Sequence, residues 1–393
     1  MSIALRLFII MLLFTAVGCS VAARVTIETQ PDGAFVYVDG KRAGLTPARV
    51  RVTPGSHEIR LEKEGYFPRT ISISVERRGA VRIRETMVRR LALYDRQALY
   101  RVTDAGQVWE ISGRRAVLHT GTESKSFTIP AVSGRIDADG AVLYVNVIEG
   151  DLADIYRLDF QAGGEPVRVS GEGPVTVVSP GEYRYWAMQP SLSPDGRYLA
   201  FISDRVGSLD LYLGTALGAE IRRVVSNPLP ETLAWQRAGE ALYVWSTRDD
   251  QLSLWSVSIP DGQASRQTVG EGMAGFSMVH RAVVSPAGRY LAIQAGSAEP
   301  FDLWLLTADD AGWQSQRLER SLGQRPLAFL DECHLLTETT DGQLVLDVTT
   351  LTATPIDRRK TGRVLELSPQ GLVALVIREG YLAVVPASEL SKE

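Results

Sequence analysis

Cysteine and histidine are scarce in this chain. Its 393 residues hold two cysteines and four histidines, which excludes a disulfide-stapled scaffold and a zinc protein with several sites. Long apolar runs are also lacking. Leu7 to Val17 is apolar apart from Thr15, and eleven residues are too few to cross roughly 30 Å of hydrocarbon comfortably as a helix. No segment has the G-x-S-x-G elbow of a serine hydrolase, the H-E-x-x-H of a zinc peptidase, a P-loop, or a G-x-G-x-x-G opening a helix. What the chain does have is 45% hydrophobic and only 22% charged residues, so it can bury a core. Its 35 glycines and 19 prolines suit many short strands and turns.

The amino terminus reads as an export signal. Arg6 precedes the apolar run, which ends in Ala16-Val17-Gly18-Cys19. Small residues before a cysteine resemble a bacterial lipobox, although Ala16 stands where leucine is usual. The resemblance implies cleavage after residue 18 and acylation of Cys19, with membrane lipid as a partner through that residue. Ser20 rather than aspartate follows, which points away from retention at an inner membrane. Residues 19–23 would then be a lipidated linker. Cys333 would be the only free thiol, and it is expected to be buried and inert.

Residues 24–93 alternate apolar and polar positions between turn signals: Pro31-Asp32-Gly33, Asp39-Gly40, Thr53-Pro54-Gly55 and Glu64-Gly65. The pattern predicts a compact antiparallel β-sandwich. Pro31-Asp32-Gly33-Ala34, Val36-Tyr37-Val38-Asp39-Gly40, Gly44-Leu45-Thr46-Pro47, Pro54-Gly55-Ser56-His57 and Gly65-Tyr66 resemble the signature of the PEGA domain. The resemblance implies an extracytoplasmic module without known catalysis. This segment carries 14 basic and 8 acidic residues, a net charge of +6, while 94–393 carries 27 basic and 38 acidic, a net charge of −11. Arg49 and Arg51 alternate in ARVRV, as Arg82 and Arg84 do in VRIR, so each pair is expected on one strand face. An anionic surface near the lipid would attract such a face, and a merely solvated face is the alternative. Nucleic acid is not an expected partner of an exported chain.

Residues 94–390 repeat a unit of turn, apolar strand, polar loop and second strand. The clearest copies begin at Ser191 (SLSPDGRYLAFISDR) and Val283 (VVSPAGRYLAIQAGS), and weaker ones occupy 135–159, 235–257, 327–348 and 365–385. A truncated copy occupies 93–111. The turn residues Gly140, Gly196, Gly239, Gly288, Glu332 and Gly371 stand 56, 43, 49, 44 and 39 residues apart. That period predicts a β-propeller. YLAFI at 198–202 and ALYVW at 241–245 are apolar at nearly every position, as strands covered on both faces are. SLSPDGRYLAFISDRVGSLDLYL resembles the TolB-like propeller repeat, related to the WD type, and RLDFQAGGEPVRVS is similar to its linking strand. The expected fold is therefore all-β: a small PEGA sandwich followed by a six- or seven-bladed TolB-like propeller. TolB itself has an α/β domain ahead of its propeller, so its partners do not carry over.

Catalytic signals are faint. His57, His119, His280 and His334 are isolated from one another and read as structural. Asp104-Ala105-Gly106-Gln107-Val108-Trp109 fits half of an Asp-box, and Asp137 and Asp139 before Gly140 faintly resemble a calcium loop. Both read as turns of the repeat. Glu182-Tyr183-Arg184-Tyr185-Trp186 suits either a buried interblade strand or an exposed binding surface. Phe201 is expected in the core between blades. The sequence suggests no catalytic, cofactor-binding or metal residue, and no small-molecule cofactor. It suggests instead a lipid-anchored envelope protein, facing the periplasm or on the outer membrane. Its propeller would recognise or scaffold another envelope protein or wall polymer. The alternatives are an envelope glycan or peptide hydrolase with carboxylates at the propeller axis, or a lipoprotein whose PEGA domain is the working part.

Overall fold

The computed structural model describes residues 23–77, 79–121, 123–132, 136–149, 152–171, 186–248, 251–273, 276, 278–297 and 299–390. The expected signal segment 1–18, Cys19 and residues 182–185 of the aromatic cluster lie outside them. Two compact units divide at Arg90 and Leu91.

In the first unit, seven strands form two sheets. They are β1 (Ala23–Gln30), β2 (Phe35–Val38), β3 (Lys41–Leu45), β4 (Ala48–Val52), β5 (Gly55–Glu62), β6 (Arg69–Val75) and β7 (Ala80–Thr86). One sheet has the order β4-β1-β7 and the other β3-β2-β5-β6. Alternation decides the faces: in β4, Ala48, Val50 and Val52 are buried while Arg49 and Arg51 are exposed. Val25 and Ile27 of the first sheet meet Val36, Ile59 and Leu61 of the second, all fully buried. Each such side chain contributes on the order of 1.5–3 kcal/mol by leaving water. Asp39 and Gly40 both adopt positive φ, 49° and 77°. They form the two-residue loop that closes the β2–β3 hairpin with a twist matching its strands. The sandwich departs from the antiparallel expectation at one place. β1 and β7 run parallel, from Arg24 opposite Ala80 to Gln30 opposite Thr86. A parallel neighbour needs a crossover rather than a hairpin, and here the crossover contains the whole second sheet.

Among the described residues of the second unit, seven sheets follow one another along the chain. Six have four strands and span 99–128, 137–168, 187–226, 234–267, 278–317 and 325–355; the seventh has three and spans 363–386. These are blades 1 to 7. The first strands of blades 1 and 2, 2 and 3, 4 and 5, 5 and 6, 6 and 7, and 7 and 1 touch in turn. Blades 3 and 4 are joined by the Trp235 indole, which donates to Ser191 Oγ at 3.0 Å. The blades therefore form a closed ring. Its closure is supplied by residues 91–94. Leu91 N donates to Leu382 O at 2.8 Å, Leu382 N to Ala92 O at 2.7 Å, and Tyr94 N to Gly380 O at 2.9 Å. This segment lies beside the last strand of blade 7 as its fourth strand, which is why the units divide earlier than the expected 93/94.

The recurring turn follows the first strand of each blade. Gly106, Gly140, Gly196, Gly239, Gly288 and Gly371 occupy it with φ between 56° and 78°, a left-handed conformation that glycine adopts without cost. Phe201 is 1% exposed and packs with Tyr144 and Ile155 of blade 2, while its neighbours Ala200 and Ile202 pack with Leu242 and Val244 of blade 4. Both faces of this strand are covered, which accounts for its unbroken apolar run. Cys333 is half-buried rather than buried, because it lies in the tight turn that leads from Asp331 into the strand His334–Glu338.

Candidate functional site

The first strands of the blades surround an axial cavity of about 980 Å³. Its wall is part apolar and part polar, and four of the first strands carry a charged residue onto it: Arg101, Asp137, Arg281 and Glu366. Arg101 of blade 1 donates through Nη1 to Glu366 of blade 7, and its Nε lies 3.5 Å from Asp137 of blade 2. Burial works against the Arg101 charge, yet the carboxylates of Glu366 and Asp137 hold its pKa above the ordinary value. Asp137 also accepts from Leu192 N of blade 3 at 2.8 Å. The two carboxylates are thus tied to one guanidinium, which couples neighbouring blades.

At the turn end of the first strands, polar side chains cross the axis. Gln370 of blade 7 donates through Nε2 to Pro194 O of blade 3 at 3.0 Å and Arg237 O of blade 4 at 3.3 Å. Arg237 in turn donates to Phe329 O at 2.8 Å and Leu330 O at 3.2 Å in blade 6. Bonds between blades that are not neighbours can form only across the middle of the ring, so they obstruct this end. Burial pulls the Arg237 pKa below its ordinary value, against nearby Asp104, Asp331 and Glu332.

Among the described residues, nothing crosses the opposite end. Leu99, Ile148 and Trp186 line the cavity there and keep 37%, 39% and 39% exposure. Trp186 therefore takes the exposed alternative rather than the buried interblade one. Its backbone N–H donates to Asp204 at 2.7 Å, which fixes the chain and leaves the indole at the cavity mouth. Gln189, also on the wall, sits where the pairing of Ala187–Leu192 with Tyr198–Ser203 shifts register. It has φ 58°, unusual for a residue with a side chain, and its buried Oε1 has no hydrogen-bond donor among the described residues. A bulge of this kind re-aims a side chain, and a buried acceptor without a donor is costly unless a ligand or water supplies one.

Of the residues selected from sequence, Asp137 and Trp186 lie on the cavity wall, and the histidines lie elsewhere. His57 bonds Asp39 at 2.7 Å and Thr53 O at 2.7 Å; His119 bonds Ser124 and Glu110; His280 lies against Phe301; His334 bonds Asp331. They do not converge, and no group of three metal-ligating side chains occurs among the described residues. Asp104 accepts from Gln370 N at 2.9 Å, a link between blades. Sequence reasoning missed Arg101, Gln189, Arg237, Glu366 and Gln370. The signal for two of them is a charge within an apolar stretch: LYRV for Arg101 and VLEL for Glu366.

A second surface stands out on the first unit. Strand register brings Arg24 opposite Arg51, and Thr26 between Arg49 and Arg82. Arg84 is opposite Glu28. The outer face of β4-β1-β7 therefore carries Arg24, Arg49, Arg51, Arg82 and Arg84, with Glu28 its one acid. Glu28 accepts from Arg82 at 2.6 Å and Arg84 at 3.0 Å, hydrogen bonds that lower its pKa. Arg24, Arg49 and Arg51 have no ion pair among the described residues.

The PEGA domain profile matches residues 22–90, so the resemblance carried by the turn motifs holds across the first unit. A search of curated proteins finds no match. Among solved structures, a TolB-type protein of Agrobacterium tumefaciens is similar at 20% identity, covering 59% of this chain and 83% of its own, with a TM-score of 0.39. TolB of Acinetobacter baumannii is similar at 13% identity over 85% of this chain and 77% of its own, also at 0.39. The tricorn protease is similar at 9% identity over 90% of this chain and 44% of its own, at 0.49. The ring assignment stands on the seven sheets themselves. No helix among the described residues is long and apolar enough to cross a membrane.

Proposed function

We propose that the chain is an extracytoplasmic lipoprotein, anchored through Cys19, whose ring binds part of another envelope component at the Trp186 end of its axial cavity. Gln189 carries this reading. A strained residue holding a buried, donorless carbonyl on a cavity wall suits a ligand that brings an N–H or O–H. Trp186, Leu99 and Ile148 at the mouth would supply apolar contact around it. The hydrolase reading needs two carboxylates free to serve as acid and base or nucleophile. Of the three carboxylates on the cavity wall, Asp137 and Glu366 share Arg101, an arrangement that suits a strut between blades, and Glu231 alone has no ion pair among the described residues. The test places a photo-crosslinking side chain at Ile148, or at Leu217, which is 72% exposed and not on the cavity wall. In intact cells Ile148 should give one discrete adduct and Leu217 none. The adduct should fade when Cys19→Ser releases the protein from the detergent phase. Equal labelling at both positions, or a Cys19→Ser protein that still partitions into detergent at unchanged mature size, overturns the proposal.

A further inference from the structure

We infer that the outer face of β4-β1-β7 is a docking surface for an anionic, phosphate-bearing lipid bilayer. Five guanidinium groups and one carboxylate occupy a three-stranded sheet. Arg24 is directly opposite Arg51, and like charges in that position destabilise a sheet pair. Among the described residues, neither has an ion pair to relieve this. An external anion would do so. Every cation on the face is arginine, whose planar fork of donors fits phosphate oxygens better than a lysine point charge does. The face is also polar between the arginines, with Thr26, Gln30 and Thr86, so it suits headgroups rather than acyl chains.

The occupant follows from where the chain enters the sheet. β1, the central strand, begins at Ala23, directly after the segment that holds the apolar run Leu7 to Val17 and Cys19. Any anchoring of that segment brings this sheet within reach of the lipid surface. The choice of a bilayer over a soluble polyanion therefore rests on the anchor proposed at Cys19. The attraction itself rests only on the arginines.

The experiment uses the chain from Ser20 to Glu393, which has no acylation site, with vesicles of phosphatidylcholine alone or mixed with phosphatidylglycerol. The protein should sediment with the phosphatidylglycerol vesicles at low salt although its overall charge is negative, and should be released as salt rises. Replacing all five arginines by serine should lower partitioning by at least about tenfold. Replacing the exposed Arg96, Arg114, Arg266, Arg358 and Arg359 of the ring instead should leave it unchanged. Glu28→Gln removes the single acid and should strengthen binding, an outcome readable even if the fivefold variant fails to fold. Absence of binding at low salt, equal loss in the ring-arginine control, weaker binding by Glu28→Gln, or binding to inorganic polyphosphate in preference to vesicles overturns the inference. Because Cys19 is absent from this protein, such a failure leaves the anchor untouched, and a failed anchor leaves the vesicle result standing.

Discussion

Arginine stands in opposite settings in the two units. On the small sandwich, Arg24, Arg49 and Arg51 point outward with no ion pair among the described residues, and Arg82 and Arg84 keep 59% and 69% side-chain exposure beside Glu28. In the ring, Arg101 points toward the axis with 19% exposure and meets two carboxylates. The strands differ in the same sense. β4 alternates buried and exposed residues along its length, whereas Leu199 to Ser203 of blade 3 are buried without a break. A strand with one free face can display charge cheaply. A strand between blades holds a charge only where a partner reaches it, as two other blades reach Arg101 at the inner edge and Arg223 reaches Asp210 within blade 3. The sandwich is thus built to show a surface, and the ring to enclose a space.

The strongest way to break this contrast is to cut into the interblade core. Phe201→Ala should destabilise the ring by about 3–5 kcal/mol. Phe201 packs on blade 2 and stacks on Tyr212 at 5.7 Å, so the cavity it leaves has little room to collapse. Urea unfolding followed by tryptophan fluorescence reads the ring selectively, because all seven tryptophans lie after residue 93. A loss below roughly 1 kcal/mol would mean that blade 3 is not clamped between its neighbours.

The next comparison sets one arginine against another. Arg101→Met removes the cation from between Asp137 and Glu366 and leaves two half-buried carboxylates near each other without it. The expected cost is about 3 kcal/mol, at the low end for a broken buried pair because part of the side chain still meets solvent. Arg82→Ser on the sandwich should leave unfolding unchanged within error, since exposed pairs contribute little. Matching losses from the two substitutions would remove the distinction between the settings.

How much of this was legible in the sequence depends on how far apart the partners are along the chain. The turn glycines, the Asp39-Gly40 hairpin and the alternation around Arg49, Arg51, Arg82 and Arg84 are local patterns, and all were readable. Arg24 joins that face only through register with strands elsewhere in the domain, and β7 pairs with β1 in parallel, for which no hairpin signal exists. The closing segment Leu91 to Tyr94 looks like the tail of the sandwich until it is seen beside Tyr381 and Leu382. Gln370 and Arg237 meet at the axis, and Gln189 lines the same cavity, because a ring brings distant residues together, and nothing in their immediate neighbours announces it.

The smallest effect sharpens the comparison through pH. The Asp39 side chain, with help from Thr53 O, raises the pKa of His57 above its ordinary value. The bond to His57, and then the N–H of Glu58, lowers that of Asp39. A histidine whose folded pKa is raised adds stability that is fully present below its unfolded value near 6.5 and is lost as pH rises through the folded value. An aspartate whose folded pKa is lowered adds stability that is present above about 3.8 and is lost as pH falls through the folded value. The sandwich should therefore be most stable in mildly acidic solution and should soften above neutrality. In the ring, the Thr349 hydroxyl and backbone, with Thr350, draw the Asp347 pKa down to about 2. That contribution is complete above about 3.8 and disappears only in strong acid. Hydrogen exchange of the full chain at pH 5.5 and 8.5, corrected for intrinsic rates, reads both units at once. Protection in β5, next to His57, should fall at the higher pH, and His57→Gln should abolish that fall. Unchanged β5 protection in the wild type would mean that the His57–Asp39 pair does not hold its proton more tightly in the folded domain than in the unfolded chain.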